Sequence, residues 1–131
     1  MAEESNLPSK SNWHKPSDEL VSFFMSLMQA EAGVELRSMF GYPCAFINGQ
    51  MFTGLFADSM FIRLPEKDRE RFQILDGVSP FEPFPGRLMK EYSVIPARMI
   101  ESPHELETWL AISMNYAASL PEKVKKSGKK K

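Results

Sequence analysis

Residues 37–64 decide the fold, and they read RSMFGYPCAFINGQMFTGLFADSMFIRL. The stretch is dense in aromatic and aliphatic residues, and turn signals interrupt it at Asn48-Gly49 and at Asp58-Ser59. An Asn-Gly pair between apolar runs predicts a hairpin, because both central residues of a type I′ turn need a positive φ. We therefore expect three consecutive antiparallel strands, a meander. Residues 52–57 are apolar on both sides, so the middle strand should be covered on both faces.

Gly41 and Pro43 fall inside the first of these strands. Proline cannot donate to a strand ladder, so we expect this strand to lie at the edge of the sheet or to carry a bulge. The alternative interpretation of the kink at residues 40–43 is a backbone left open for a ligand. An unpaired edge over Met39–Ala45 would also allow a homodimer.

The segments around the meander predict helices and one more strand. Apolar residues recur at helical spacing over residues 18–32, after Ser17 as a cap and before Gly33. A short charged helix is expected at 65–75 and a C-terminal helix from 103 to about 120, with Ser102 opening an S-x-x-E capping box. The fold class is therefore α+β: an antiparallel sheet, made of the meander and a later strand, flanked by N-terminal and C-terminal helices.

The remaining sequence signals for secondary structure lie in the later strand and in the proline-rich segment before it. Residues 79–87, SPFEPFPGR, hold three prolines, so we expect an ordered loop whose Phe81 and Phe84 pack inward. Residues 88–95 read as a strand whose alternation puts Lys90 and Tyr92 on one face and Glu91 on the other.

Length and composition indicate one domain of ordinary type. The chain has 131 residues, of which 43% are hydrophobic and 25% charged, enough for a real core. It contains no apolar run of about 18 residues and starts with an acidic, polar segment, so we expect neither a membrane span nor a secretory signal. The single cysteine, Cys44, excludes an internal disulfide and fits a cytoplasmic protein. We expect a flexible segment at 1–16, with Trp13 docked into a groove of the domain, a folded domain at 17–121, and a disordered tail at 122–131.

Charge is unevenly distributed along the chain. Residues 123–131 hold six lysines and no acid, so residues 1–122 keep 10 of the 16 Lys and Arg against all 17 Asp and Glu, a balance of −7. An acidic body is a poor match for a phosphate backbone. Weak, nonspecific nucleic-acid binding is therefore expected, if at all, through the lysines of the tail: Lys123, Lys125, Lys126, Lys129, Lys130 and Lys131.

No catalytic, metal or cofactor motif is found in the sequence. Two histidines and one cysteine lack the paired spacing of a zinc site, and the glycines are spaced as turn and strand residues rather than as a phosphate-binding loop. Cys44 lies in an apolar strand, where a thiol behaves as a small hydrophobe with a raised pKa. We therefore expect a protein that is not an enzyme and has no cofactor and no metal.

Several of these elements together resemble the N-terminal domain of the TfoX/Sxy family. The elements are Met39-Phe40-Gly41, the Asn48-Gly49 turn, Met51-Phe52, Asp58 and Met89-Lys90-Glu91-Tyr92, and the resemblance covers residues 18–120. It implies an α+β domain, which in the best-known members is part of a protein that regulates natural competence genes together with a cyclic-AMP-responsive activator. In the best-known members a second, helical domain follows, where this chain has its lysine-rich tail.

Three functions remain open at this point. The first is a non-enzymatic regulatory or protein-interaction module, whose partner is another protein and whose contact surface includes the kink at Phe40–Pro43, with Tyr42, and the loop at Phe81–Gly86, with Phe84. The second is a nucleic-acid-associated protein that uses the tail. The third is a small-molecule-binding domain or an unrecognised enzyme, in which six side chains converge on one pocket: Arg37, Arg63, Arg87, Lys90, Glu91 and Tyr92.

Overall fold

The computed structural model describes residues 16–29, 31–39 and 41–122. In chain order, the elements within these residues are α1 (Asp18–Gln29), β1 (Glu35–Met39), β2 (Tyr42–Ile47), β3 (Gln50–Phe56), β4 (Ser59–Arg63), α2 (Glu66–Gln73), β5 (Ser79–Phe84), β6 (Arg87–Val94), α3 (Ala97–Glu101) and α4 (Pro103–Ser119). The strands form one antiparallel sheet in the order β1-β2-β3-β4-β6-β5. The predicted α+β fold, with a meander, a later strand and helices on either side in sequence, is confirmed.

The centre of the predicted meander is present as expected. Asn48 and Gly49 have φ values of 55° and 73° and join β2 to β3 in a two-residue hairpin turn. β3 lies inside the sheet, and its residues from Met51 to Leu55 are all buried. The next turn comes one residue earlier than the Asp58-Ser59 signal indicates, since β3 ends at Phe56 and Ala57 takes the positive φ of 53°.

The predicted first strand is wrong, because the chain reverses direction within it. Met39 pairs with Tyr42 across a turn in which Gly41 has a φ of 82°, so Gly41 is a turn residue and not a strand kink. β2 is therefore internal, between β1 and β3, although it contains Pro43. Pro43 is paired with Ser38 of β1 and comes before the first residue pair between β2 and β3, Cys44 with Gly54. One edge of the sheet is β1, which includes Met39, whereas residues 42–45 belong to the internal strand β2.

The proline-rich segment at 79–87 is a strand and not the predicted loop. Residues Ser79–Phe84 form β5, which pairs only with β6 and ends the sheet. An edge strand tolerates proline because one of its sides has no ladder in which the missing N–H would be needed. Two register shifts interrupt the pairing, at Pro80/Phe81 and between Phe81 and Phe84. Phe81 is buried, as predicted.

The predicted alternation of the last strand, which puts Met89 on the face opposite to Tyr92 and Val94, is correct for Tyr92 and Val94 and wrong at Met89. Pro80 pairs with Ser93, but the next pair is Phe81 with Met89, so three extra residues of β6 lie between these two rungs. Met89, Tyr92 and Val94 consequently pack against one and the same cluster. A bulge of this kind changes the face of the sheet to which a side chain points, and the sequence pattern does not predict it.

The helices agree with the sequence in position and differ in detail. The Ser17 hydroxyl accepts a hydrogen bond from the Leu20 N–H at 3.1 Å, which confirms it as the cap of α1, but α1 ends at Gln29 instead of residue 32. Ser102 makes no side-chain cap bond, so the predicted capping box is not formed. The short helix α3 was not predicted.

The sheet separates two hydrophobic clusters. The larger one, the helix-side core, joins the helices to β2, β3 and β4 through buried residues that include Phe24, Phe52, Phe72 and Leu106. The smaller one, the hairpin-side core, consists of Cys44, Phe46, Met51, Phe61 and Phe81 with five partly buried neighbours. The β5–β6 hairpin covers the second cluster, because Phe81 stacks on Phe61 of β4 with 4.4 Å between ring centroids although β6 separates the two strands in the sheet.

Two expectations concern other parts of the molecule. The docking of Trp13 and the state of the lysine-rich tail lie outside the described residues. Among the helices of the described residues, none has the length and apolar character that crossing a membrane requires.

Candidate functional site

The structure separates the sequence-predicted site residues into several places. Arg63, Glu91 and Tyr92 come together where β4 ends beside β6, and Phe84 and Arg87 lie at the tip of the β5–β6 hairpin. The predicted convergence of six side chains on one pocket is therefore not formed, since only three of the six meet.

The remaining candidates are distributed over the molecule. Arg37 lies on the edge strand β1, where its guanidinium pairs with Glu35 at 3.1 Å and covers the Phe46 ring at 4.5 Å. Lys90 is exposed on β6. Tyr42 is only 4% exposed and belongs to the helix-side core, so its side chain is not available to a partner. Phe40 lies outside the described residues.

Arg63 is the centre of a polar network, which we call the Arg63 network. Its Nε donates to Glu91 Oε1 at 2.7 Å, and its Nη1 donates to Gln50 Oε1 at 3.1 Å. The guanidinium also lies 5.6 Å from the Tyr92 ring centroid and 5.5 Å from that of Tyr116. Arginine is suited to this position because its planar group forms hydrogen bonds and stacks on aromatic rings at the same time.

Two tyrosines complete the Arg63 network. The Tyr116 hydroxyl donates to Glu91 Oε2 at 3.2 Å, and the Tyr92 hydroxyl donates to the Met51 carbonyl at 3.0 Å. Burial, followed by the neighbouring Glu91 carboxylate, raises the pKa of Tyr116, and burial raises the pKa of Tyr92 to about 12. Both hydroxyls therefore stay protonated near neutral pH and act as hydrogen-bond donors.

The Arg63 network serves to join secondary-structure elements. It connects β3, β4 and β6 to α4, and nearby the turn between β2 and β3 holds the end of that helix. There the Asn48 and Gln50 side-chain amides donate to the carbonyls of Ala118 and Pro121, at 3.3 and 2.8 Å. The contacts of Arg63 and Glu91 thus tie three strands of the sheet to α4.

The tip of the β5–β6 hairpin has a different character. Its residues line a hollow of about 320 Å³, which we call the hairpin hollow: Pro83, Phe84, Arg87, Leu88 and Met89. Leu88 is 52% exposed, and among the described residues the structure leaves only one other large hydrophobic side chain so open, Ile74. The Gly86 N–H donates to Glu82 Oε2 at 2.7 Å and so fixes the turn of the hairpin.

The model of the TfoX N-terminal domain matches residues 26–117, most of the chain. The chain belongs to this family. The matched range starts within α1 and ends within α4, and so contains the whole sheet, the Arg63 network and the hairpin hollow. A comparison with curated proteins finds no significant match.

The only cysteine of this TfoX N-terminal domain lies in the hairpin-side core. Cys44 is buried, its thiol is 3.7 Å from the Tyr42 carbonyl, and burial raises its pKa to about 11. It faces an apolar cavity of about 70 Å³, whose lining residues are Met39, Cys44, Met51, Leu55, Phe56, Phe61, Phe81 and Met89. Among the described residues no group of three or more His, Cys, Asp and Glu is placed to hold a metal ion.

We expect native Cys44 to react slowly with a disulfide reagent at about pH 8 and faster as the pH approaches about 11, because the thiolate is the nucleophile. The pKa of the Cys44 thiol has its ordinary value of 9.0 in the unfolded chain and is about 11 in the native protein. Between these two pH values, the native state keeps a proton that the unfolded state has lost. The contribution of the Cys44 thiol to the unfolding free energy is therefore fully present below pH 9 and is lost as the pH rises towards 11.

The control for this expectation is Cys44→Ala, which has no thiol to titrate. The wild type should lose unfolding free energy relative to Cys44→Ala between pH 9 and about 11, as measured by chemical denaturation at each pH. Parallel pH profiles, or rapid labelling of the native protein at about pH 8, would contradict it.

Sequence reasoning missed Gln50 and Tyr116 of the Arg63 network and Leu88 of the hairpin hollow. Ser113 and Tyr116 are polar residues close to the apolar stripe of α4, which is a weak signal that this face meets polar groups. Ser113 is in fact buried, and its hydroxyl oxygen lies 3.1 Å from the Phe52 carbonyl and 2.5 Å from the Arg63 carbonyl, so these two acceptors share its one hydrogen. Nothing in the sequence distinguishes Leu88 from a core strand residue.

Proposed function

We propose that this TfoX N-terminal domain is a non-enzymatic protein-interaction module whose contact surface is the hairpin hollow. The observation that carries the proposal is the exposure of Leu88 beside Arg87 on the rim of an apolar concavity of about 320 Å³. Leu88 is a member of neither hydrophobic cluster, and 52% of it is exposed. In a complex, such a side chain is a candidate anchor.

The composition of the hairpin hollow supports this proposal. It combines an aromatic, a methionine, an arginine and two apolar residues. The cores of protein interfaces are enriched in aromatic residues, Met and Arg relative to the rest of the surface. Lys90 and Glu82, both exposed, provide polar groups close to the hollow along the same two strands.

The rigidity of the β5–β6 hairpin also supports the hairpin hollow as a contact surface. Phe84 packs edge to face on Phe56 with 5.8 Å between ring centroids, and Phe81 stacks on Phe61 behind it. Pro80, Pro83 and Pro85 restrict the backbone of β5 and of the turn. A surface that is already held in one conformation loses less conformational entropy on binding, so more of its contact energy appears as affinity.

The reactive groups of the domain support a role in binding rather than in catalysis. The Cys44 thiol is neutral and buried, and the Arg63 and Glu91 side chains neutralise each other at 2.7 Å. Contact with a partner protein is also how a small domain without its own chemistry would exert the regulatory role that the TfoX/Sxy resemblance implies.

The experiment is site-specific photo-crosslinking in an extract of the source cell. A benzoylphenylalanine at position 88 should give a discrete adduct with a protein, whereas the same group at the exposed position of Glu70 on α2 should not. Excess unlabelled wild-type domain should compete the adduct away. Leu88→Glu should compete at least about tenfold less well, since tenfold corresponds to about 1.4 kcal/mol and loss of an anchor costs about 2 kcal/mol or more.

Leu88→Glu should leave the unfolding midpoint close to that of the wild type because the side chain is exposed. Equal competition by Leu88→Glu and the wild type would overturn the assignment of the surface. An adduct that disappears after nuclease treatment would instead place the domain on nucleic acid and overturn the proposal.

A further inference from the structure

A second groove, between α1 and α3, lies beside the point where the described chain begins. It has a volume of about 510 Å³ and is lined on its apolar side by Leu20, Phe23 and Ile100. Leu20 is buried, while Phe23 and Ile100 are half-buried and pack against the helix-side core. The groove is thus continuous with the core of the domain, and an apolar group placed in it would extend that core.

The rim of this groove is acidic. Glu19, Asp58 and Glu101 line it, and all three are exposed. Ser17 also lines it, and the Ser17 N–H donates to Asp58 Oδ1 at 3.1 Å. This bond fixes the backbone of Ser17 at the edge of the groove, close to residue 16, where the described chain begins.

The residues that precede Ser17 have the chemistry that the groove would accept. Residues 10–15 read KSNWHK, with Trp13 between Lys10 on one side and His14 and Lys15 on the other. Trp13 is four residues from Ser17, a distance that an extended chain spans in at most about 14 Å. An indole removes a large apolar area from water when it is buried, and its N–H can bond to a group on the rim.

We propose that residues 10–15 dock onto the groove between α1 and α3, with the Trp13 indole against Leu20, Phe23 and Ile100 and with the basic residues opposite the acidic rim. The short connection to Ser17 makes the docking intramolecular and gives it a high effective concentration. This inference is independent of the proposed function, because it involves a different surface from the hairpin hollow.

The other segment outside the described residues fits the groove less well. The tail at 123–131 complements the acidic rim in charge but has Val124 as its one apolar residue and no aromatic residue. The groove offers apolar surface as well as charge, and only the N-terminal segment matches both.

The test is ¹⁹F NMR of the full chain labelled with 5-fluorotryptophan. The chain has two tryptophans, so two resonances are expected, and Trp13→Phe assigns them. Trp109 is buried and serves as the internal reference for a protected indole. A synthetic peptide of residues 1–16 gives the resonance of an exposed Trp13. We expect Trp13 in the full chain to be displaced from the peptide value and to lose the shift between H₂O and D₂O that an exposed indole shows.

Two variants make the result specific to this groove. Ile100→Glu places a charge in the apolar wall, and Glu101→Lys reverses a charge on the rim and leaves the apolar wall intact. Both should move the Trp13 resonance towards the peptide value and leave the Trp109 resonance in place, which also shows that the fold is kept. Ile74→Glu, on the exposed end of α2, is the matched control and should move neither resonance.

The proposal is overturned if Trp13 has the peptide's chemical shift in the full chain, or if neither groove variant moves it. A Trp13 resonance that returns to the peptide value on dilution would mean that a second copy of the chain supplies the segment, and this would overturn the intramolecular docking.

Discussion

Replacing Gly54 by alanine is expected to lower the free energy of unfolding by about 2–3 kcal/mol, because the strand has no room for a Cβ at this position. A Cβ on Gly54 would lie 2.5 Å from Cys44 Sγ and 2.7 Å from Phe61 Cζ. Both neighbours are fixed, since Cys44 and Phe61 are the cross-strand partners of Gly54 on β2 and β4 and both are buried. Urea denaturation followed by circular dichroism measures the loss.

A double-mutant cycle identifies the cause. Cys44→Ala removes the sulfur that the new methyl group meets first, but it leaves Phe61 and the Cys44 Cβ, which is 3.1 Å away. We therefore expect Cys44→Ala to recover only part of the stability in the Gly54→Ala background, while it is destabilising on its own. If Gly54→Ala unfolds at the wild-type urea concentration, the close packing of the hairpin-side core against β3 is wrong.

Replacing Phe72 by alanine is expected to cost about 3–5 kcal/mol, the range for a fully buried phenylalanine. Phe72 is 0% exposed, and it is the one residue of α2 that is buried. Its ring packs edge to face on Trp109 of α4 with 4.8 Å between centroids. The rest of α2 is dominated by charged residues, so this single side chain provides most of the apolar area that holds the helix.

The control lies two residues further on. Ile74 is also a large apolar residue but is 84% exposed, so Ile74→Ala should change stability by less than about 0.5 kcal/mol. Hydrogen exchange would show whether α2 detaches, since its amides should lose protection in Phe72→Ala more than those of β3. Equal losses for the two variants would contradict the role assigned to Phe72.

The elements that the sequence predicted correctly depend on local chemistry. Asn48-Gly49 forms a hairpin turn because these two residues tolerate positive φ, and Ser17 caps α1 because its hydroxyl is at the right distance from the Leu20 N–H. β3 is buried on both faces, as its continuous apolar run indicates. These features need only a few neighbouring residues to be decided.

The elements that the sequence predicted wrongly depend on which strands become neighbours. The prolines predict an edge or a bulge at Pro43 and a loop at 79–87, but β2 is internal, with its bulge at Ala45/Phe46, and Ser79–Phe84 form the strand β5. Whether a missing N–H matters depends on whether a ladder exists on that side of the residue, and this is known only once the sheet has assembled. The three extra residues of β6 are decided in the same way by the pairing with β5.

The candidate site residues also divide into features that the local sequence predicts and features that the assembled sheet decides. Arg63, Glu91 and Tyr92 are candidates from the sequence and do meet, but their interpretation changes because Gln50 and Tyr116, which come from β3 and α4, complete a closed network. The sequence predicts Tyr42 at the surface, but it lies in the core, and it predicts an ordinary strand position for Leu88, whose side chain lies exposed in the hairpin hollow.

The sequence by itself determined the α+β class, the Asn48-Gly49 hairpin, the positions of the long helices and the family, because periodicity, turn residues and caps act over a few residues. Only the tertiary structure decided which charges are neutralised, which apolar side chains remain in water and where the grooves lie. These properties depend on contacts between residues far apart in the chain, such as Arg63 with Glu91 and Phe61 with Phe81, and each residue contributes to them only through the neighbour that the fold gives it.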